Sequence, residues 1–323
     1  MKRQRSWKYH TIALVFGIGI MAALIYHAGF RRFVDIILHA SPRWITGSLT
    51  VYGISWILRT WRLERFTTHA KAKIKVFDLF KLYISGYALN AIFPAKVGDI
   101  ATVGYLRIKG IAIGRSSAII LQTRILDILA LIFLSLPALV VSFERITLGW
   151  IKGVIFSSML IVVIPIGITL LDRNKAFSIL LEKLVDTYFL NKFCKAVGGK
   201  IKDAYDSYHA IVSDKRLVAT SVLLSLVIWL FDGLTCYMAS RAVAAHLPLT
   251  SIILAVSIGN IGKAIPSTPG AIGIYESILT AVLVMFGVPF DIAAVIGILD
   301  HTTKKGFTLL LGLPATAAIY HKP

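Results

Sequence analysis

The stretch Asn90-Ala-Ile-Phe-Pro-Ala-Lys-Val-Gly-Asp99 decides how the rest of the chain is read. It has a distant counterpart in Pro266-Ser-Thr-Pro-Gly-Ala-Ile-Gly-Ile-Tyr-Glu276. Each sets prolines and glycines inside sequence otherwise apolar enough for a membrane, and each ends on a carboxylate, Asp99 or Glu276. Proline lacks a backbone donor and glycine frees the dihedrals, so a helix is expected to break at both places. Broken backbone at membrane depth needs protein or a water-filled cavity around its polar groups. Two such breaks in corresponding halves of a chain point to a transporter-like binding site between them.

Composition supports the membrane. Of 323 residues, 57% are hydrophobic and 16% charged, whereas a soluble domain is roughly a quarter charged. The mean hydropathy is +0.76. The net charge of +19 is large. Its basic residues sit between long apolar runs rather than interleaving with aromatics on one surface, which excludes nucleic acid as the partner. Basic cytoplasmic loops and anionic lipids remain. Cys194 and Cys236 stand far apart in no metal or redox spacing. No paired His or Cys offers a nucleophile or metal cluster, so neither cofactor nor metal is expected, and no enzyme.

Taken in order, the chain opens on Lys2, Arg3, Arg5 and Lys8, then an apolar run from Thr11 to Phe30. This reads as an uncleaved first helix with its N-terminus in the cytoplasm. A second span covers 44–61. Arg59, Arg62, Arg65, Lys71, Lys73, Lys75 and Lys81 then read as a cytoplasmic loop. The first broken segment, 79–106, is expected to turn at Pro94 to Gly98 and leave on the side it entered. Further spans follow at 116–143 (with Gln122, Arg124 and Asp127) and 150–171, then an amphipathic cytoplasmic linker over 172–216. A fifth span, 217–240, contains Asp232; 249–265 and 274–286 flank the second break. The last span, 291–320, carries Asp300, His301, Lys304 and Lys305.

The expectation is an all-α integral membrane protein of the cell membrane with six full transmembrane helices and two re-entrant hairpins. It forms one multi-pass domain, its halves at about 44–143 and 217–320, both termini cytoplasmic. The register that lays Asp99 on Glu276 also lays Gly110 on Gly287, Arg124 on His301 and Pro137 on Pro314 without a gap, which predicts an inverted repeat.

These motifs carry a resemblance. Asn90-x3-Pro94-x3-Gly98-Asp99, the patch Gln122-Thr-Arg-Ile-Leu-Asp127 and Pro266-x2-Pro269-Gly270-x2-Gly273-x2-Glu276 resemble the lysylphosphatidylglycerol synthase transmembrane-region family, also called flippase-like. The resemblance covers nearly the whole chain. It implies a helical membrane domain that moves lipids, or lipid-linked head groups, between leaflets. Relatives fuse such a domain to an aminoacyltransferase or a glycosyltransferase, and neither soluble domain is present in this sequence. Lys96 and His301 stand where arginine is expected in the family.

An unpaired charge at mid-membrane costs about 2.5–3.5 kcal/mol on insertion scales, so Arg124, Asp127, Asp232, Asp300, Lys304 and Lys305 are expected to face one another or a cavity. Arg124 and Asp127 could simply neutralise each other along one helix face. A twofold axis would instead bring Asp127 toward Lys304 and Arg124 toward Asp300. Half-helices starting after Pro94 and Pro269 are expected to aim free N–H groups inward, with Lys96 and Lys263 beside them and Asp99 and Glu276 steering those lysines. Asn90, Gly98, Gly270 and Gly273 complete the candidate tips, and His301 and Lys304 the candidate walls. The blander reading gives these glycines and prolines to close packing and the carboxylates to capping. The expected partners are membrane lipids with a phosphate head group. A lipid-modifying transferase, for which the chain would be a non-transporting subunit or scaffold, and a second copy of the chain are further candidates.

Overall fold

The computed structural model describes residues 2–94, 96–142, 153, 192–263 and 268–320. Among them are eleven α-helices and no strand. Numbered in chain order, α1 is Lys2–Ala28, α2 Phe30–Leu38, α3 Pro42–His69, α4 Val76–Ile92, α5 Val97–Ile108 and α6 Ile113–Ser142. After the gap come α7 Lys192–Ser213, α8 Lys215–Ala242, α9 Leu249–Gly262, α10 Ile274–Met285 and α11 Phe290–Tyr320, with a 3₁₀ turn at Pro269–Ala271 before α10. Apart from residue 153, the expected span at 150–171 and linker residues 172–191 lie outside the described residues.

Helices α1, α6 and α8 are long and apolar enough to cross a membrane. At 28 and 31 residues, α3 and α11 are also long enough, at about 1.5 Å per residue, but both carry buried charges. The breaks fall where the prolines and glycines put them. Helix α4 stops at Ile92, and α5 restarts from Lys96, which sits in the left-handed region at φ 53°. In the second break, Gly273 at φ +83° precedes α10.

One expectation needs correction. Arg59 and Arg62 are not loop residues: α3 runs unbroken to His69, and the two residues are 3% and 0% exposed. Trp56, Leu63 and Phe66 are buried with them, the spacing of one helix face.

The halves match closely at several points. In the register that pairs Asp99 with Glu276, α5 coincides with α10, and α6 with α11 to within a single position at the C-terminal end. Gly110 and Gly287 both have positive φ, 91° and 83°. The Ile111 N–H reaches the Leu106 carbonyl at 3.1 Å, as Val288 reaches Leu283 at 3.2 Å. Pro137 and Pro314 both lie inside their helices. Packing obeys the same exchange. Helix α4 rests on α11 and α9 on α6; α5 flanks α6 and α10 flanks α11; α3 and α8 lie against each other between the halves. Each hairpin is thus docked on the long helix of the other half.

Close backbone approach closes the first hairpin. A Cβ on Gly86 would lie 2.9 Å from the Gly98 carbonyl oxygen, so only glycine lets α4 and α5 meet there. The two tips also touch: a Cβ on Gly270 would lie 2.7 Å from the Ala91 carbonyl oxygen. Helix α1 breaks the exchange pattern. It packs on the second half, against α10, α11 and the second tip, where a Cβ on Gly17 would lie 2.8 Å from the Ile272 carbonyl oxygen. Helix α7 is docked on α6, burying Tyr208 and Ile211.

Candidate functional site

The hairpin tips, the long helices α6 and α11 and the central pair α3 and α8 enclose a cavity of about 210 Å³. Each long helix presents the same four positions to it. Helix α6 contributes Arg124, Asp127, Ile128 and Leu131; α11 contributes His301, Lys304, Lys305 and Thr308, their counterparts one for one in the repeat register. The spacing i, i+3, i+4, i+7 is one face of a helix. The lining charges are lopsided: Arg59, Lys96, Arg124, Lys263, Lys304 and Lys305 against Asp127 and Asp232.

Most of these charges are tied. Arg59 of α3 pairs with Asp232 of α8, two positions equally far along helices of equal length. Lys304 reaches Asp232 at 3.2 Å and Asp300 at 2.9 Å, and the Tyr275 hydroxyl donates to Asp300 at 2.6 Å. Asp127 accepts from Arg62 at 2.7 Å and from the Trp229 indole at 3.0 Å. Its second oxygen lies 3.6 Å from Arg124. Arg124 clamps Asp99 with two N–H groups, Nε at 3.0 Å, and donates to the Tyr87 hydroxyl at 2.6 Å. In the other half, His301 Nδ1 stands 2.5 Å from Glu276. Asp99–Arg124 and Glu276–His301 are therefore the same contact made twice.

These partners differ from the sequence expectation. Asp127 does not meet Lys304, and Arg124 does not meet Asp300; α3 supplies the counter-charge to Asp127 and α5 that to Arg124. The half-helix ends are also not open. Asn90 Oδ1 accepts from the Gly98 N–H at 2.8 Å, while its amide donates to Asp99 at 2.8 Å. Glu276 accepts from the Gly273 N–H at 2.9 Å, capping α10. One backbone donor at each break is thus already engaged by a side chain. Asp99 and Glu276 make no ion pair with Lys96 or Lys263 among the described residues.

Of the predicted residues, Asn90, Pro94, Lys96, Arg124, Asp127, Lys263, Gly270, His301 and Lys304 line the cavity. Gly98, Asp99, Pro269, Gly273 and Glu276 lie behind it as packing, pairing or capping residues. Lys96, Lys263 and Lys305 have no carboxylate within ion-pair distance among the described residues. The Lys263 ammonium sits 3.5 Å from the centroid of the Tyr275 ring, a cation–π contact. Arg59, although buried, leaves Nε and Nη1 without a hydrogen-bond partner among the described residues. Arg59, Tyr87 and Trp229 were missed as site residues, and Lys305 was expected to face a cavity or another charge but was not counted with the site. For Lys305 a signal existed, since the cavity face of α6, carried across in the repeat register, lands on it.

What the arrangement can do is bind an anion. Ammonium groups without counter-ions, here two half-buried and one exposed, gain from a charge-assisted partner such as phosphate. Among the described residues no group of three or more His, Cys, Asp or Glu could hold a metal ion.

Known proteins place the chain. A UPF0104 membrane protein of Pyrococcus horikoshii is 22% identical over 319 residues, covering 93% of this chain and 94% of that protein. Another, from Methanothermobacter thermautotrophicus, is 21% identical, with 94% of each chain covered. Glycosyltransferase AglD of Haloferax volcanii is 21% identical over 87% of this chain but only 49% of its own length, so the chain spans about half of that protein. The lysylphosphatidylglycerol synthase TM region matches residues 11–312. With its helical fold and its paired hairpins, the chain belongs to the lysylphosphatidylglycerol synthase TM region family of membrane proteins.

Proposed function

We propose that the protein is a lipid translocator that holds a phosphate-bearing lipid head group in the cavity and passes it between leaflets. One observation carries this reading: three lysines from three elements, Lys96, Lys263 and Lys305, converge without carboxylate partners among the described residues on an open cavity where the tips meet. A scaffold has no use for such groups, and its charges should be sealed in pairs. The exchange relation between the halves supports alternating access, with the Ala91–Gly270 contact opening on one side. We place the repeat inverted across the cell membrane with both termini cytoplasmic, because the basic residues between α3 and α4 and after α5 favour that face.

The test is reconstitution into phosphatidylcholine vesicles with a fluorescent prenyl phosphate and a fluorescent phosphatidylglycerol, following loss of signal to a membrane-impermeant quencher. Wild type should move at least one probe well above protein-free vesicles. Lys263→Ala with Lys305→Ala should slow movement at least tenfold while the protein stays folded. Equal rates in protein-free, wild-type and variant vesicles overturn the reading. A second reading, a non-transporting membrane subunit of a transferase, is favoured by one observation, the likeness to a glycosyltransferase. It predicts no movement but co-purification with such an enzyme.

A further inference from the structure

The cavity's charge bears on how many negative charges its ligand carries. In and behind the cavity lining stand Arg59, Arg62, Lys96, Arg124, Lys263, Lys304 and Lys305, together with Asp99, Asp127, Asp232, Glu276 and Asp300. By formal charge, seven lysines and arginines stand against five carboxylates, an excess of two positive charges. An excess charge held between apolar helices is unfavourable until an anion joins it. A phosphodiester carries one negative charge and leaves half the excess uncompensated. A phosphomonoester near neutral pH, or two phosphates linked as a diphosphate, carries about two.

We infer that the cavity selects a lipid head group bearing two negative phosphate charges over one bearing a single charge. This rests on the lipid-phosphate reading above. The cations are also divided in space. Lys96 caps α5 and Arg124 stands on α6, in the first half; Lys263 caps α9 and Lys305 stands on α11, in the second. Arg59, from the central helix pair, adds a guanidinium whose Nε and Nη1 have no hydrogen-bond partner among the described residues. A head group with charge at two points can use both clusters, which a single phosphodiester cannot do with equal reach.

The experiment measures equilibrium binding in phosphatidylcholine nanodiscs to three lipids of one prenyl chain length. These are a prenyl phosphate hexose diester with one charge, a prenyl phosphate with about two, and a prenyl diphosphate hexose with two. The two doubly charged lipids should bind at least tenfold tighter than the diester. Their ranking tells whether the charges come from one phosphate or two. Removing one excess charge, with Lys305→Met in the wall or Lys96→Gln at the exposed tip, should shrink that preference to under threefold. If the diester binds as tightly as the others to the wild type, and Lys263→Ala with Lys305→Ala still weakens it, this inference falls and the lipid-phosphate reading stands. If none of the three binds, both fall.

Discussion

Helices α6 and α11 are the same element built twice, and they differ in what they show the cavity. The backbone frame repeats down to single hydrogen bonds. The side chains do not: Arg124, Asp127, Ile128 and Leu131 on one helix face His301, Lys304, Lys305 and Thr308 on the other. Positions 127 and 304 even carry opposite charges. A frame with two equivalent faces could hold two equivalent ligands. With Lys305, which has no carboxylate partner among the described residues, on one face and the paired Asp127 on the other, the cavity is a single asymmetric site. Backbone geometry and charge are therefore separable features of this fold, and substitutions can test them separately.

The largest effect should come from breaking charge at the equivalent pair. Asp127→Ala strands Arg62, which is fully buried, and should lower stability by about 3–5 kcal/mol in thermal unfolding in detergent micelles. Arg62→Leu added to it should recover a large part. Lys304→Met leaves the fully buried Asp300 without a cation among the described residues, while Asp232 keeps Arg59, and should cost a comparable amount. If Asp127→Ala is neutral, the buried network does not hold the halves together.

Next comes close approach. A Cβ on Gly98 would overlap the Gly86 carbonyl, so Gly98→Ala should cost about 1–3 kcal/mol and raise protease cleavage near the first tip. Smaller and more telling are Gly110→Ala and Gly287→Ala. Both glycines have positive φ with open space around them, so each change should cost about 1–2 kcal/mol, the two agreeing within error. Unequal costs would mean that the backbone repeat is only approximate at these turns. The smallest effect belongs to the half-exposed pair Lys109–Asp78, 3.2 Å apart. Lys109→Ala should change stability by no more than about 1 kcal/mol.

Much of the frame was legible because proline, glycine and apolar run length act locally. Helix α10 begins after Gly273, both α5 and α10 end before a glycine, and the repeat register could be read from Gly110, Gly287, Pro137 and Pro314 together with the buried charges. The partners of buried charges were not legible, because they depend on which helices meet. Arg59 and Arg62 looked like loop residues when counted as charge. They sit on the helix face of Trp56 and Leu63, and continuing that periodicity past Trp61 would have placed them inside. Asp99 was singled out from the motif, but its contact with Arg124 depended on α6 lying beside α5. Sequence gives no measure of that distance.

The crossed docking of the hairpins has a consequence for how the chain is made. Helix α4 rests on α11, and Ser85 meets Thr316 there at 2.6 Å, yet α11 is synthesised after every other described helix. At roughly 5–20 residues per second the first hairpin waits on the order of ten seconds or more for that surface. During this interval its companion is α6, through the Asp99–Arg124 clamp. The second hairpin meets no such delay, since α6 already exists when α9 emerges. A fold that is nearly symmetric when finished is thus assembled in an asymmetric order, and the clamp at Asp99 guards the half that has to wait.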